Sequence, residues 1–477
     1  MSEQLCEIGV FGLGVMGRNL ALNMAEHGFQ TAVFNRTTAK TEKFMQQYGK
    51  DFPIKGATQL EEFVSYLKKP RAILIMVKAG PAVDAVIAEL LPYLEPDDVL
   101  IDGGNSHFMD TERRHKELHE QGIHFIGMGV SGGEAGARYG PSLMPGGSKE
   151  GYERVRPVLE AIAAKVNGDP CVTYLGPGGA GHYVKMVHNG IEYSYIQLIA
   201  ETYDLMKRGL GMSNVELSEM YERWNRAELN SFLMEITANI FKAKDEETGN
   251  YLIDMILDVA RQKGTGRWTA QNAMDLMVPV PNVDLAVVQR NLSMYKEERL
   301  RLERILGAPK RQIPENGRLF ANEIRRALYT GLILSFDQGF ALLRKASEEY
   351  NYNLPLADIA AIWRGGCIIR SALLGDIRSA LTSEPGLSHL MAHKTFTQRI
   401  LEREKALRHV VSAAVQVGIP VPGLSGALAY LDSYRSGWLP ANLIQAQRDY
   451  FGAHTYERID RPGTFHTEWA KLLTEGR

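Results

Sequence analysis

A glycine-rich segment near the beginning of the chain restricts the fold more than any other feature. An apolar run at residues 7–11 precedes it and predicts a strand, and residues 16–26 predict a helix. Glycines between a strand and a helix permit a tight turn, a close approach of the backbone to a pyrophosphate, and close helix–strand packing. We therefore predict a dinucleotide-binding loop, with a simple glycine-rich turn as the alternative. Its residues are Gly12, Leu13, Gly14, Val15, Met16 and Gly17.

The pattern of apolar runs divides the chain into three parts. The first alternates short apolar runs with helical patterns, which is typical of parallel strands joined by right-handed crossovers. A Gly/Pro cluster at 176–179 ends it, and a long helical pattern follows. The last part is polar and aromatic and is broken by Pro and Gly. The predicted fold class is α/β, with a Rossmann-like dinucleotide-binding domain (1–178), a large all-α domain (179–437) and an extended C-terminal tail (438–477).

The helical part contains a pattern that recurs. The first copy is Gly190, Ser194, Gln197 and Ala200, and the second, at a constant offset, is Gly331, Ser335, Gln338 and Ala341. Tyr195 corresponds to Phe336 in the same way, and Trp224 to Trp363 at nearly that offset. Such a recurrence indicates two related helical units. Chance similarity of two amphipathic helices is the alternative, and superposition of the two halves decides between them.

Composition excludes several classes of protein. The 477 residues carry a net charge of -2, which argues against a dedicated nucleic-acid or membrane-surface protein. Residues 1–4 lack the layout of a signal peptide, and the three cysteines form neither a disulfide framework nor a CxxC site, so we expect a cytoplasmic protein. His389 and His393 have helical i,i+4 spacing but no evident third ligand, and we predict no metal site.

The residues after the second predicted strand bear on the choice of dinucleotide. NAD sites usually carry Asp or Glu there, to bind the ribose 2′-hydroxyl. This chain has Asn35, Arg36 and Thr37 instead. A guanidinium beside a hydroxyl suits a 2′-phosphate, so the sequence predicts NADP rather than NAD. The alternative is that Arg36 is only a solvated loop residue.

Four polar side chains share one stripe of the first long helix. Lys185 and Glu192 are seven residues apart, which separates them by only ~20° around the helix and ~10 Å along it. His188 and Asn189 fall on the same stripe, while the intervening Met and Val are apolar. We interpret the stripe as the wall of a cleft beside the dinucleotide domain, and a solvated polar face is the alternative.

Three glycine-bearing loops are candidates for binding a small anion. Ser131, Gly132 and Gly133 follow a predicted strand, where amides and a hydroxyl suit a carboxylate. Residues 262–267 offer amides and cations that suit a phosphate, but they lack the full Walker pattern. Residues 102–105 also follow a strand end. Each loop alone is more typical of an ordinary turn than of a site.

Taken together, these motifs resemble the decarboxylating 6-phosphogluconate dehydrogenase family along the whole chain. The most specific mark is the string 447–455 in the tail, Gln-Arg-Asp-Tyr-Phe-Gly-Ala-His-Thr. Other marks are the segments 12–17, 35–37, 77–80, 102–106, 131–134, 185–193, 262–266 and 363–371. The sequence departs from the family pattern at Gly14, Ala135, Arg261 and Arg267, none of which has a proposed catalytic role.

The resemblance implies NADP-dependent oxidative decarboxylation of 6-phosphogluconate, with Lys185 as general base and Glu192 as general acid. It implies a homodimer whose tail reaches into the partner's active site. It places Val77, Lys78, Ala79 and Asn105 in the NADP site together with residues 35–37. It places these residues around the substrate: Asn105, Ser131, Gly132, Gly133, His188, Asn189, Tyr193, Lys263, Thr265, Arg290, Arg448 and His454. Another β-hydroxyacid dehydrogenase and a non-catalytic nucleotide-binding protein are the alternatives.

Overall fold

The computed structural model describes residues 4–475, so most of the segment 1–4 used for the signal-peptide argument lies outside it. The chain divides into two compact units, the first ending at Ala427 and the second starting at Leu428. The three-part division at residues 178 and 437 stays a prediction. Within the described residues no helix combines the length and the apolar character needed to cross a membrane.

The first unit opens with a seven-stranded sheet in the order β3-β2-β1-β4-β5-β6-β7. Strands β1 to β6 are parallel, and β7 is antiparallel to β6. The five predicted strands are confirmed, whereas β3 and β7 were not predicted. The strands are β1 Ile8–Phe11, β2 Thr31–Phe34, β3 Ile54–Ala57, β4 Ala72–Ile75, β5 Val99–Asp102, β6 His124–Ser131 and β7 Ser142–Gly147.

Helices cover both faces of this sheet, as a mostly parallel sheet requires. In β4, Leu74 belongs to one apolar cluster, while Ile73 and Ile75 belong to the cluster on the opposite face. The α/β prediction is therefore confirmed. The helices are α1 Val15–Glu26, α2 Thr38–Tyr48, α3 Leu60–Ser65, α4 Pro81–Leu90, α5 Phe108–His119, α6 Gly133–Tyr139 and α7 Lys149–Ile162, followed by a small hairpin of β8 Lys165–Val166 and β9 Asp169–Pro170.

The helical part is built around its two longest helices, α8 and α15, which cross near Tyr195 and Phe336. These two rings stand edge to face, 6.4 Å apart. The predicted large helical domain is confirmed. Its helices are α8 Ala180–Asp204, α9 Asn214–Asn225, α10 Phe232–Ile240, α11 Leu252–Met255, α12 Thr265–Asp275, α13 Pro281–Ser293, α14 Lys296–Leu306, α15 Gly317–Glu349, α16 Leu356–Ile362, α17 Leu373–Ser383, α18 Lys394–Val417 and α19 Pro422–Tyr434, the last of which runs across the division between the units.

Helix order supports the hypothesis of two related helical units. The pairs α8/α15, α9/α16, α10/α17 and α13/α19 follow one another in the same sequence. Pro281 and Pro422 each begin a helix, and they have the same separation as Gly190 and Gly331. Equivalent residues also meet, because Tyr195 contacts Phe336 as expected near a pseudo-twofold axis. Superposition of the halves remains the test of this hypothesis.

The second unit contains more regular structure than its sequence suggests. It has α20 (Ala441–Gly452), a two-stranded hairpin of β10 (Tyr456–Glu457) and β11 (Thr464–Phe465), and α21 (Trp469–Glu475). The buried carboxylate of Asp449 holds these pieces together. It accepts hydrogen bonds from the amides of Thr455 and Thr467 and from Trp469 Nε1, and it lies 2.9 Å from His466 Nδ1.

Candidate active site

The glycine-rich loop between β1 and α1 has the geometry of a phosphate cradle. Gly12 has φ +108°, and a Cβ there would lie 2.5 Å from the carbonyl oxygen of Met76. A Cβ on Gly17 would lie 2.0 Å from the oxygen of Gly12. Gly14, by contrast, faces open space and is the N-cap of α1. The loop therefore needs two glycines for its own packing and presents the third, with the free amides of a helix start, to a ligand.

The end of β2 joins this loop through Asn35. The amide of Leu13 donates to Asn35 Oδ1 at 3.0 Å, so the side chain fixes the loop rather than pointing away from it. Arg36 is exposed, and its Nη1 lies 3.3 Å from Glu89 Oε1 on α4. Thr37 is the N-cap of α2. The guanidinium of Arg36 thus stands at the strand end where a ribose substituent lies in this class of fold.

Two further loops lie at the same edge of the sheet. Val77 follows β4 and contacts the glycine loop, since a Cβ on Gly12 would lie 3.3 Å from Val77 Cγ1. Lys78 and Ala79 continue this loop to the start of α4, and the Lys78 side chain is exposed. Asn105, also exposed, follows β5. The predicted cofactor residues therefore converge on the carboxyl ends of β1, β2, β4 and β5, where parallel sheets bind dinucleotides.

The polar stripe of α8 is buried rather than solvated. Lys185 is 5% exposed and His188 is fully buried. Lys185 Nζ lies 3.5 Å from His188 Nδ1, which in turn lies 3.1 Å from Asn189 Oδ1. The Glu192 carboxylate is 4.0 Å from the same histidine nitrogen. This burial rules out a solvated face, and the distances place an amine, a carboxylate, an imidazole and an amide along one wall.

Burial shifts the pKa values of the groups on this wall. Desolvation lowers the pKa of Lys185 below its ordinary value, against the opposing charge of Glu192. Desolvation raises the pKa of Glu192, against the opposing charges of Lys185 and Arg290. The pKa of His188 is well below its ordinary value because of burial and the adjacent Lys185. Burial therefore shifts the two pKa values in the directions that favour a neutral amine and a protonated carboxyl, which are the forms that a base and acid pair requires.

Glycines in the sheet allow α8 to approach closely enough to seat this wall. A Cβ on Gly181 would lie 2.1 Å from the oxygen of Gly127, and one on Gly127 would lie 2.8 Å from His182 Nδ1. A Cβ on Gly129 would lie 2.3 Å from the Cβ of Lys185. Gly127 and Gly129 share one face of β6, so the strand forms a groove that receives His182 and Lys185.

The loop after β6 closes the cleft beside the stripe. Ser131 Oγ lies 3.4 Å from His188 Nε2. Gly132 and Gly133 both have positive φ, and a Cβ on Gly132 would lie 2.6 Å from the oxygen of Gly366. Gly133 faces open space. The predicted carboxylate loop therefore meets helix α8, and residue 132 must remain glycine for the chain around Gly366 to fit.

Two residues of this region were not predicted to belong to the site. The indole of Trp363 stands edge to face against His188, 5.5 Å between ring centres. Cys367 is buried close enough to Lys185 for their charges to interact, and burial raises the pKa of its thiol to about 12. The segment 363–367 packs against the loop after β6, where the oxygen of Gly366 adjoins Gly132. Nothing in the spacing of this segment indicated that it lies beside Lys185.

The proposed phosphate residues gather in part. Arg290 stacks on the ring of Tyr193, with its Cζ 3.5 Å from the ring centre. Thr265 Oγ1 accepts from Asn189 Nδ2 at 3.0 Å, which ties the start of α12 to the stripe. Lys263 is exposed on the loop before α12. Tyr193 and Arg290 are therefore in direct contact, and Lys263 lies on the loop that leads into α12.

Arg448 and His454 lie in the second unit. Both side chains are exposed, and Arg448 Nη1 donates to Gln445 Oε1 at 3.0 Å. They lie on either side of Asp449 in sequence, so the hydrogen bonds of Asp449 help to set their backbone positions.

His389 and His393 are in the first unit. His389 Nδ1 lies 3.1 Å from Asp337 Oδ2, and His393 accepts from the Thr395 amide at the start of α18. Over residues 4–475, no group of three or more His, Cys, Asp or Glu could hold a metal ion.

Known proteins match the chain over nearly its full length. Two family models cover it: the NAD binding domain of 6-phosphogluconate dehydrogenase at residues 7–176, and the 6-phosphogluconate dehydrogenase C-terminal domain at residues 181–469. The NADP(+)-dependent, decarboxylating 6-phosphogluconate dehydrogenase of Bacillus subtilis (strain 168) is 56% identical over 472 residues, which is 99% of this chain and 100% of the relative.

Two further comparisons agree. The decarboxylating 6-phosphogluconate dehydrogenase of Escherichia coli (strain K12) is 53% identical over 98% of this chain and 100% of its own length. The solved structure of the Plasmodium falciparum 6-phosphogluconate dehydrogenase superposes with a TM-score of 0.95 at 47% identity, covering 97% of this chain and 100% of that one. That enzyme is described in its apo form and in complexes with NADP+ and with 6-phosphogluconate.

Proposed function

The chain belongs to the 6-phosphogluconate dehydrogenase family, and we propose that it oxidises and decarboxylates 6-phosphogluconate with NADP, releasing ribulose 5-phosphate and carbon dioxide. The observation that carries this proposal is the buried pair Lys185 and Glu192, whose pKa values are shifted in opposite directions on one wall of the cleft. A protein that only bound nucleotide would have no use for such a pair.

The residues present fit NADP. Gly12 and Gly17 bring the chain close enough to receive a pyrophosphate at the start of α1, and Gly14 leaves space for it. Arg36 and Thr37 would hold the 2′-phosphate, and Val77, Lys78, Ala79 and Asn105 the other half of the dinucleotide. When bound, NADP supplies the acceptor for the hydride that leaves C3 of the substrate.

Lys185 acts in both chemical steps of the proposed mechanism. Its neutral amine takes the proton of the C3 hydroxyl as the carbon is oxidised, which the lowered pKa permits. The product of that step is a β-keto acid. The ammonium then donates a hydrogen bond to the ketone oxygen and stabilises the enolate charge that develops as carbon dioxide leaves.

Glu192 completes the sequence as an acid. Decarboxylation leaves an enediol that needs a proton at C1, and burial raises the pKa of Glu192, which favours the protonated form that would supply it. We assign Ser131, Gly132, Gly133, His188 and Asn189 to the carboxylate and hydroxyls. We assign Tyr193, Lys263, Thr265, Arg290, Arg448 and His454 to the phosphate.

We also propose a homodimer in which the tail of one subunit completes the site of the other. The second unit supports this, because it exposes a set of apolar side chains that an isolated chain would leave in water. They are Trp438, Leu439, Leu443, Ile444, Tyr450 and Phe451. The cytoplasm is the proposed location, since the three cysteines are buried and form no disulfide framework, as a reducing compartment favours.

Co-expression of two inactive variants tests the shared site. Lys185→Met removes the base from one subunit, and Arg448→Ala removes the tail cation from the other. If tails are exchanged, each mixed dimer has one intact site, and about a quarter of wild-type activity returns in an equal mixture. If every tail serves its own subunit, the mixture stays inactive.

A direct assay tests the reaction. Purified protein is given 6-phosphogluconate with NADP, and separately with NAD, while reduced nicotinamide and carbon dioxide are both measured. Equal amounts of the two products, formed faster with NADP, are expected. Faster turnover with NAD would overturn the assignment of Arg36 and leave the reaction standing. No reduction with either dinucleotide would contradict the proposed function and leave other β-hydroxy acids as substrates to test.

A further inference from the structure

A buried arginine on α5 contacts the loop that leads from β4 into α4. Arg114 is 1% exposed. Its Nε and Nη2 donate to the two carboxylate oxygens of Asp84 at 2.7 and 2.9 Å, and Nη2 also donates to the oxygen of Gly80 at 3.1 Å. Gly80 directly follows Val77, Lys78 and Ala79 in sequence. The guanidinium therefore fixes the end of one proposed cofactor loop by three hydrogen bonds.

The same arginine reaches the second loop through Asp102. Arg114 Nη1 lies 3.5 Å from Asp102 Oδ2, and Asp102 is fully buried at the end of β5. Its Oδ1 accepts from the amide of Gly104 at 3.0 Å, and its Oδ2 accepts from Ser106 Oγ at 2.6 Å. These two bonds bracket Asn105. Asp102 thus shapes the turn that presents Asn105, and Arg114 ties that turn to the loop after β4.

Stability alone is a weak reason for this arrangement. Removing the guanidinium of Arg114 and the carboxylate of Asp102 from water is costly, and well-packed apolar side chains of similar volume often stabilise a fold as well or better. What apolar residues cannot do is fix several separate hydrogen bonds in direction at once. Because the fork of Arg114 spans Asp84, Gly80 and Asp102, it holds two loops at a set distance.

We propose that Arg114 is a positioning residue that aligns loops 77–80 and 103–106 to receive the nicotinamide half of the dinucleotide. This inference rests on the proposed function. The strand order of the sheet assigns these two loops to the nicotinamide half, because β4 and β5 lie on one side of β1 and β2 lies on the other. Arg36, at the end of β2, faces the adenosine half, so the two halves of the ligand depend on different loops.

Equilibrium binding of two ligands separates positioning from folding. NADP spans both halves, whereas adenosine 2′,5′-bisphosphate carries only the adenosine half and its 2′-phosphate. The variants are Arg114→Lys, which keeps the charge but loses the fork, and Asp84→Asn, which keeps the shape but loses the ion pair. Lys116→Gln is the matched control, since it removes one cation from an exposed position on the same helix.

For the two test variants we expect the dissociation constant of NADP to rise by about tenfold or more. Binding of adenosine 2′,5′-bisphosphate should match wild type, and the Lys116 variant should bind both ligands normally. Equal weakening of both ligands in the test variants would show a general loss of folding and overturn the inference, as would unchanged NADP binding. If the unmodified protein bound neither NADP nor NAD, the proposed function itself would fail.

Discussion

Gly129 and Lys185 lie face to face, with the stem of the lysine filling the space that a side chain at 129 would need. A Cβ on Gly129 would stand 2.3 Å from Lys185 Cβ and 2.7 Å from its Cγ. Real Cβ atoms do not approach so closely, so strand β6 and helix α8 meet here only because residue 129 is glycine. The position of the proposed base, Lys185, therefore depends on Gly129, a residue without a reactive side chain.

Replacement of Gly129 by alanine should displace the amine of Lys185. Misplacement of a reacting group by about 1 Å can reduce turnover by about 100-fold, and overpacking of a core costs about 1–3 kcal/mol. We expect kcat to fall by about 100-fold, while the dissociation constant of NADP stays near the wild-type value. Steady-state kinetics and a binding titration measure both quantities.

Gly375→Ala serves as the control for that variant. Gly375 lies in α17, and a Cβ there meets nothing within 4 Å. The change should preserve activity and raise stability slightly, because alanine favours helix more than glycine does. Full activity in the Gly129 variant would show that the base is not seated by close packing.

Much of the first half could be predicted because its signals are local. The alternation of apolar runs predicted the five central strands, and the glycine spacing at 12–17 predicted the tight turn between β1 and α1. Strand β7 was not predicted because its residues, Ser142–Gly147, include a proline and two glycines that weaken strand propensity. Strand β3 was not predicted because only its two end residues are buried, so apolar and polar residues do not alternate along it.

The proton chemistry of the α8 wall predicts a pH profile. Neutral Lys185 is required, so activity falls on the acid side as the amine gains a proton. Protonated Glu192 is required, so activity falls on the alkaline side as the carboxyl loses one. The expected profile is therefore a bell, and burial lowers the pKa of Lys185 and raises that of Glu192. The two limbs belong to the coupled pair rather than to either residue alone.

Glu192→Gln should affect the two limbs differently. The alkaline limb should vanish, because the titrating carboxyl is gone. The acid limb should remain, because it reports Lys185 and the carboxyl of Glu192 is already protonated and uncharged on that side of the profile. The maximal rate should drop by about 100-fold or more through loss of the acid. An unchanged alkaline limb in the rate profile would exclude Glu192 as the acid.

Arg36 is expected to select NADP over NAD. A charge-assisted hydrogen bond to the 2′-phosphate contributes about 1.5–3 kcal/mol. Arg36→Gln should therefore raise the dissociation constant of NADP by roughly 10- to 100-fold and change that of NAD little. The effect should shrink as salt is added, since the guanidinium is exposed. Lys43→Gln, an exposed cation of α2, is the control. Equal weakening of both dinucleotides would contradict the assignment.

Other parts of the site could not be predicted because they depend on contacts between distant segments. Trp363 and Cys367 come close to Lys185 and His188 only because the segment between α16 and α17 folds back against α8. No spacing in the sequence indicates this contact between distant segments. The tail is a similar case. Its motif was recognised, but the burial of Asp449 within it follows from the hairpin and helix that surround the carboxylate.

Asp449 should govern the order of the tail. Its buried carboxylate collects two amide donors and the indole of Trp469, and it is paired with His466. Although burial opposes ionisation, these hydrogen bonds hold its pKa at about 2, so the carboxylate stays charged at every working pH. Asp449→Ala leaves those donors without an acceptor. We expect amide hydrogen exchange to speed up at Thr455 and Thr467, while exchange in the sheet at β1 and β4 stays slow.

Because Arg448 adjoins this anchor, the same variant should raise the KM for 6-phosphogluconate by about tenfold or more. NADP binding should be preserved, since no proposed cofactor residue lies in the second unit. Glu457→Gln removes an exposed carboxylate from the neighbouring hairpin and should alter neither exchange nor KM. If exchange rises in the Asp449 variant while KM is unchanged, the tail is ordered by Asp449 but takes no part in binding the substrate.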